Sequence, residues 1–201
     1  LPTDQEQRDR EFLQQNDLRQ GPWYDELQNE RNFFAAHYVL WSPEKRVLLR
    51  DITMQEPVPQ EMKSGLGTTP ALAPPPIRLV AQLYLDIDTV NGKLLHRSAT
   101  VLDGFETIVQ LENLPWTTCF HNIWFDLCEM ERRAMEDRLN TPGVTLGQAR
   151  SIHADHTQRL NAMTNQYLKE TGNGLQCEAL FRWNAHVKTA LGIDNITMLG
   201  M

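Results

Sequence analysis

Two histidines three residues apart, His153 and His156, come nearest to a metal-binding or acid–base arrangement in this sequence. They lie with Asp155 between them in the stretch SIHADHTQRL, which we predict to be helical. Residues i and i+3 are neighbours on a helix surface, so the two imidazoles could share a metal ion. A catalytic zinc ion needs a third protein ligand, and a structural zinc ion needs a fourth.

The remaining ligands cannot be assembled from the sequence. Cys119 and His121 are close along the chain, but they point about 200° apart around a helix, so both cannot face one metal ion. His156 falls on an apolar helical stripe with Ile152 and Leu160, where a histidine is typically a core residue with a hydrogen-bonded ring nitrogen. We therefore predict no metal and no cofactor, and keep a metal-dependent enzyme using His153 and His156 as the alternative.

Other catalytic patterns are equally incomplete. The sequence contains no Gly-x-Ser-x-Gly motif, and the glycine-bearing residues 65–69 lack the lysine and the following helix of a phosphate-binding loop. Cys119 has no neighbouring group that would activate a thiol. Asp86 and Asp88 are typical of solvated acids next to a turn. The lack of a complete catalytic set favours a protein that is not an enzyme.

Composition limits the class of partner. The chain has 201 residues, 41% hydrophobic and 22% charged, which is typical of a globular protein of one domain or two small ones. Its net charge of −7 would repel a phosphate backbone, so we predict no nucleic-acid partner. No apolar run reaches the roughly 20 residues that span a bilayer, so no direct membrane insertion is expected.

The three cysteines, Cys119, Cys128 and Cys177, are too few for a disulfide framework. We interpret them as buried, reduced thiols, although a bridge between Cys177 and one of the others stays open. Reduced thiols favour the cytoplasm. Because the chain begins with Leu1, an upstream export signal or membrane anchor remains an alternative.

The N-terminal 54 residues are predicted to form a helical arm with a short strand over 47–54. A polar helix over 3–20 ends at Gly21-Pro22, and a second helix carries aromatic residues at helical spacing until Ser42-Pro43. That helix has more aromatic side chains than one buried stripe needs, which is typical of an interface. The residues that we predict to bind a partner are Trp23, Tyr24, Phe33, Tyr38 and Trp41.

Residues 55–76 hold six prolines and two glycines, which predicts a loop or linker. Alternating apolar residues over 77–88 then predict a half-buried strand, and Asn91-Gly92 predicts a hairpin turn into a second strand over 93–102. A two-residue turn would pair Ile87 with His96, whereas a longer or bulged turn would pair Ile87 with Leu95. The hydrophobic pattern favours the bulged turn. A third strand is predicted over 105–111.

The C-terminal part is predicted to be helical over 114–139, 146–169 and 175–191. The charged residues of the first helix are assigned to its solvated face. Thr145 and Gln148 form a capping-box pattern at the start of the second helix. The tail after Gly192 has scattered apolar residues and is expected to dock on the fold.

These elements predict an α+β protein with N-terminal helices, an antiparallel β-meander of three to four strands and three C-terminal helices packed on it. Residues 1–54 form the arm, 55–76 the linker, and 77–201 the meander and helices, in one domain with the arm. The leading hypothesis is a non-catalytic protein-interaction or assembly subunit that binds a protein partner or a second copy of itself. The alternatives are the metal-dependent enzyme and a small-ligand-binding module.

Overall fold

The computed structural model describes residues 38–48, 53–54, 77–91, 93–104, 106–109 and 114–200. Within them lie six strands, three α-helices and a C-terminal 3₁₀ turn, which confirms the predicted α+β class. The polar helix over 3–20 and the linker over 55–76 lie outside the described residues. The strands are β1 (Tyr38–Leu40), β2 (Thr53–Met54), β3 (Ile77–Arg78), β4 (Ala81–Val90), β5 (Lys93–Asp103) and β6 (Ile108–Val109). The helices are α1 (Pro115–Leu139), α2 (Leu146–Glu170) and α3 (Cys177–Leu191), and the 3₁₀ turn is Asn195–Leu199.

The main sheet is antiparallel and has the order β1-β5-β4. Its hairpin turns at Asn91, which adopts the positive φ of 50° that the predicted Asn-Gly turn requires. A second small sheet has the order β2-β6-β3, with β2 parallel and β3 antiparallel to β6. The predicted third strand is therefore short and belongs to this second sheet, so the meander does not continue from β5 into β6.

The predicted hairpin register is wrong. Ile87 lies opposite His96, and Val90 lies opposite Lys93, so the turn has two residues and no bulge. Residues opposite each other share a face of the sheet, so His96, Ser98 and Thr100 lie on the same face as the apolar residues of β4. All three polar side chains hydrogen-bond to α1 or to Asn140 at its C-terminus, and these bonds compensate for the poor apolar match.

The prediction of a helix from residue 22 to residue 41 is wrong at the C-terminal end. Tyr38–Leu40 is strand β1, and Val39 pairs with Leu102 of β5. Trp41 continues this pairing through a hydrogen bond from its N–H to the carbonyl of Thr100. Aromatic and β-branched residues favour a pleated surface with a partner strand, and this tertiary contact overrides the helical spacing. Of the predicted 47–54 strand, residues 47 and 48 are not in a strand, Thr53–Met54 is strand β2, and residues 49–52 lie outside the described residues.

The three predicted helices are confirmed to within two residues at each end. Thr145 and Gln148 make the reciprocal bonds of a capping box at the start of α2. Gly192 ends α3 in the left-handed conformation, with φ 74°. The 3₁₀ turn then packs on α1, so the tail docks as expected.

Helix α1 lies at the centre of the protein. It contacts β4, β5, α2, α3 and the 3₁₀ turn, and every residue from 119 to 129 is buried. Phe120 and Tyr167 stack with ring centroids 5.2 Å apart, and the Tyr167 hydroxyl donates to the Phe120 carbonyl over 2.7 Å. A helix enclosed on all sides must satisfy its polar side chains inside the protein.

Candidate functional site

The two histidines of α2 bind different parts of the protein. Nε2 of His153 lies 2.7 Å from the carbonyl oxygen of Leu83 in β4. His156 is 1% exposed, as its place on the apolar stripe predicted. Its Nδ1 lies 2.6 Å from Oε1 of Glu131, and its Nε2 lies 3.3 Å from Nη1 of Arg138. A neutral imidazole protonated on Nδ1 satisfies both contacts, because Arg138 can only donate.

Both ring nitrogens of His156 are thus occupied by side chains other than His153. Among the described residues, no group of three or more histidines, cysteines or acids is placed to hold a metal ion. Cys119 and Cys128 are buried free thiols, whereas Cys177 is exposed, contrary to the prediction that all three are buried. Burial, together with the charge of Asp194, raises the pKa of Cys119 to about 12, so its thiol stays protonated. An inert thiol of this kind is not a catalytic nucleophile.

A line of polar side chains runs along α1 from the buried interior toward the surface. We call it the polar stripe, and it consists of Asn122, Asp126, Glu129, Arg133 and Glu136. Its gaps of four, three, four and three place all five residues on one helical face. This face meets the segment 41–47, strand β5 and the 3₁₀ turn, as the hydrogen bonds of its members show.

At one end of the polar stripe, the Asn122 side chain hydrogen-bonds to both the N–H and the carbonyl of Val47. Oδ1 of Asn122 accepts from the Val47 N–H over 2.8 Å, and its Nδ2 donates to the Val47 carbonyl over 2.8 Å. The side chain thus replaces a strand partner for a residue that is 1% exposed. A buried backbone unit outside regular structure is satisfied in this way.

Asp126 is the residue of the polar stripe that accepts hydrogen bonds from both the N-terminal and the C-terminal segments. Its carboxylate accepts from Nε1 of Trp41 over 2.7 Å, from Nη1 of Arg46 over 2.8 Å, and from Nδ2 of Asn195 over 2.7 Å. The residue is completely buried, so the ion pair with Arg46 and the two neutral donors together replace its lost hydration. Asp126 therefore holds the 41–46 segment and the 3₁₀ turn on α1.

Glu129 is the second buried carboxylate of the polar stripe. It accepts from Nε of Arg132 over 2.8 Å, from Nε of Arg133 over 3.0 Å and from Oγ1 of Thr100 over 2.8 Å. Burial acts to raise the pKa of Glu129, but the arginine hydrogen bonds and charge outweigh it and lower the pKa below its usual value. The guanidinium of Arg133 lies 5.4 Å from the Trp41 ring centroid, so Trp41 links both carboxylates.

The predicted partner-binding residues have separate locations. Trp23, Tyr24 and Phe33 lie outside the described residues. Tyr38 is half-buried in β1, and burial and the charge of Asp103 raise its pKa. Trp41 is tied into the fold by Asp126 and Arg133. The partner-binding role of these five residues stays a prediction.

An apolar surface that the sequence did not indicate lies where α1 and α3 begin. We call it the helix-end patch, and it consists of Leu114, Trp116, Leu175 and Phe181. Leu114 is 49% exposed, Leu175 69% and Phe181 39%. The Trp116 ring meets the Phe181 ring edge-on with centroids 6.4 Å apart, and its indole N–H donates to the Gly174 carbonyl. These contacts bring both chain segments together at one end of the helices.

The polar stripe was missed because its charges were assigned to solvent, although one signal was present in the sequence. Seven of the ten residues from 119 to 128 are apolar, so this part of the helix is hydrophobic all round. Such a helix is buried, and any charge it carries must then be paired within the protein. The helix-end patch has no comparable signal, because exposed leucines are common on protein surfaces.

Comparison with known proteins found no matching family model, no matching curated protein and no matching solved structure. Among the helices of the described segments, none is long and apolar enough to cross a bilayer.

Proposed function

We propose that this protein is a non-catalytic interaction or assembly subunit that binds a protein partner through the helix-end patch. The observation that carries the proposal is the exposure of Leu114, Leu175 and Phe181 beside the half-buried Trp116. Scattered exposed leucines are ordinary, but aromatic and leucine side chains brought together at one place are typical of a binding surface. Trp116 has the size and the fixed position of an interface anchor.

The hydrogen bonds and ion pairs that buried acids and a buried histidine make within the protein also support this proposal. Asp126 and Glu129 are occupied by arginines, and His156 lies between Glu131 and Arg138. Groups bound in this way hold the fold together and have no free atom to act on a substrate. The aromatic residues Trp23, Tyr24 and Phe33 of the arm are proposed as a second contact surface, on the strength of their number alone.

The test replaces Leu175 and Phe181 together by serine. The matched control is Arg182→Ser, which changes an exposed residue next to Phe181 on the same helix. We expect the double variant to stay folded with a loss of about 1–2 kcal/mol, because Leu175 is largely exposed and Phe181 loses its edge-on contact with Trp116. We also expect it to lose self-association by light scattering, or to lose at least one protein that co-purifies with both the parent and Arg182→Ser.

Cys177 gives an independent measure, because it is the one exposed thiol among the three cysteines and lies one helical turn from Phe181. Binding at the helix-end patch should slow the reaction of Cys177 with a thiol reagent. The proposal is wrong if the parent is monomeric and every protein that co-purifies with it also binds the double variant. A separate deletion of residues 1–36 tests the arm and leaves β1 intact.

A further inference from the structure

A cleft lies between the tip of the β4–β5 hairpin and the connection from α1 to α2. We call it the tip cleft, and it is lined by residues 89, 93, 94 and 96 of the hairpin and by residues 139–146. Its volume is about 570 Å³. Clefts that hold small ligands span roughly 300–1,000 Å³, so the tip cleft has room for a small organic molecule.

The charge of the tip cleft is opposite to that of the whole chain. Among the described residues, its lining includes the cation Lys93 and contains no aspartate or glutamate, whereas the chain has a net charge of −7. Thr145 and Gln148 cap the adjacent start of α2 with neutral side chains, and the first turn of α2 has no acid. A cleft lined by one sign of charge concentrates the field and attracts the opposite charge.

The hairpin wall and the helix wall are joined at His96. Its Nε2 lies 3.0 Å from Oδ1 of Asn140, which follows the last residue of α1. This contact fixes the two walls relative to each other, so the cleft is formed before any ligand enters. Preorganisation of this kind lowers the entropic cost of binding.

The lining also has an apolar part, which includes Leu94, Leu139 and Val144. These side chains suit a short hydrocarbon body, while Lys93 and the hydroxyl of Thr89 suit a negatively charged end. From these observations we infer that the tip cleft binds a small organic anion, with an apolar body and one carboxylate or phosphate group. The tip cleft is separate from the helix-end patch, so this inference does not depend on the proposed function.

The inference is tested by amide NMR titration of the full chain with four probes at constant ionic strength. Hexanoate and hexyl phosphate have both the charge and the apolar body, 1-hexanol lacks the charge, and inorganic phosphate lacks the body. We expect hexanoate, hexyl phosphate or both to shift the amides of residues 93–96, 140–141 and 143–147 saturably. Hexanol and inorganic phosphate should bind at least about fivefold more weakly, since each loses one of the two contributions. Which of the two anions binds more tightly identifies the headgroup.

Two substitutions at the tip cleft locate the binding. Lys93→Met removes the cation and Thr141→Glu adds an acid, and both positions are exposed, so folding should be unaffected. Each change should raise the dissociation constant about threefold, and the double change about tenfold. The matched controls, Lys169→Met on α2 and Thr189→Glu on α3, change exposed residues outside the lining and should leave the constant unchanged.

Three results would overturn the inference. One is the absence of saturable shifts up to about 50 mM, well above the millimolar range expected for one ion pair and a short apolar chain. Another is equal binding of hexanol and hexanoate, which would remove the role of the charge. The third is equal weakening by the cleft substitutions and their controls, which would place binding elsewhere.

Discussion

The imidazole of His121 is buried, and neither of its ring nitrogens has a hydrogen-bond partner among the described residues. It is 1% exposed, and burial lowers its pKa to about 3. The folded protein therefore keeps His121 neutral over a range in which a histidine in an unfolded chain, with a pKa of about 6.5, takes up a proton. The difference in proton binding makes stability depend on pH.

We predict that His121 reduces stability as the pH falls. Between about pH 6.5 and the folded pKa of about 3, the unfolded state binds a proton that the folded state does not. In this range His121 lowers the free energy of unfolding by up to about 1.4 kcal/mol for each unit by which the pH falls. Above pH 6.5 His121 causes no such loss, and the protein has its full stability. Denaturant titrations between pH 5 and 7.5 measure this slope.

The slope should become smaller in His121→Leu, with His121→Met as a second variant of similar volume. At pH 7.5 either variant should be within about 1 kcal/mol of the parent or more stable, because it removes two unsatisfied buried nitrogens. The exposed His186 provides the control, and His186→Gln should keep the parent slope. An unchanged slope in both core variants would show that His121 is not the source.

At the scale of the elements, the loop between α2 and α3 is held against α1 by a glycine. Gly174 has φ 87°, and a Cβ there would lie 3.1 Å from the Phe120 ring. Gly143, between α1 and α2, has nearly the same φ of 84°, but beyond its chain neighbours no atom of the described residues lies within 4 Å of the Cβ position. Substituting alanine at each of the two glycines therefore distinguishes the energetic cost of an unfavourable backbone angle from the cost of a steric contact.

We expect Gly143→Ala to cost about 1 kcal/mol, because only the left-handed backbone is unfavourable for alanine there. Gly174→Ala should cost about 1–3 kcal/mol more, since Phe120 is fully buried and its ring has little room to move. Thermal and chemical denaturation of both variants give the comparison. Equal losses would mean that Phe120 shifts freely and that the loop is not tightly packed.

The helices could be predicted from the sequence because their signals are local. Apolar spacing and the Thr145–Gln148 capping box depend on residues a few positions apart, and the predicted ends agree with α1, α2 and α3. Strand β1 could not be predicted, because its partner β5 is more than 60 residues away, and the hydrophobic pattern gave the wrong hairpin register because α1 satisfies polar residues of β5. Contacts at that separation leave no local pattern.

The same difference between local and long-range contacts decides which parts of the candidate sites could be predicted. The burial of His156 could be predicted from its helical stripe, and the structure confirms it. The role of Asp126 depends on donors from other segments, and the burial of Glu129 depends on β5, although its arginine donors are on α1 itself. Their charges were therefore placed on the solvated face. The tip cleft and the helix-end patch form only when separate loops meet. Surfaces of this kind cannot be predicted before the fold is known.

At the scale of the whole molecule, α1 connects the two ends of the described chain. Trp41 and Arg46 precede Asp126 by 85 and 80 positions, and Asn195 follows it by 69. One carboxylate thus joins the strand-bearing N-terminal segment, the central helix and the C-terminal 3₁₀ turn. These segments should therefore unfold together as one cooperative unit.

We predict that Asp126→Asn destabilises the whole protein by about 3 kcal/mol, because the Arg46 cation loses its counter-charge and the new amide group faces N–H donors. Asp137→Asn, at an exposed position of the same helix, should cost less than about 0.5 kcal/mol. Urea unfolding followed by circular dichroism and by tryptophan fluorescence measures both variants. The two signals should coincide in the parent, since helices and tryptophans belong to one unit. Losses of equal size in Asp126→Asn and Asp137→Asn would show that the connection through Asp126 contributes no net stability.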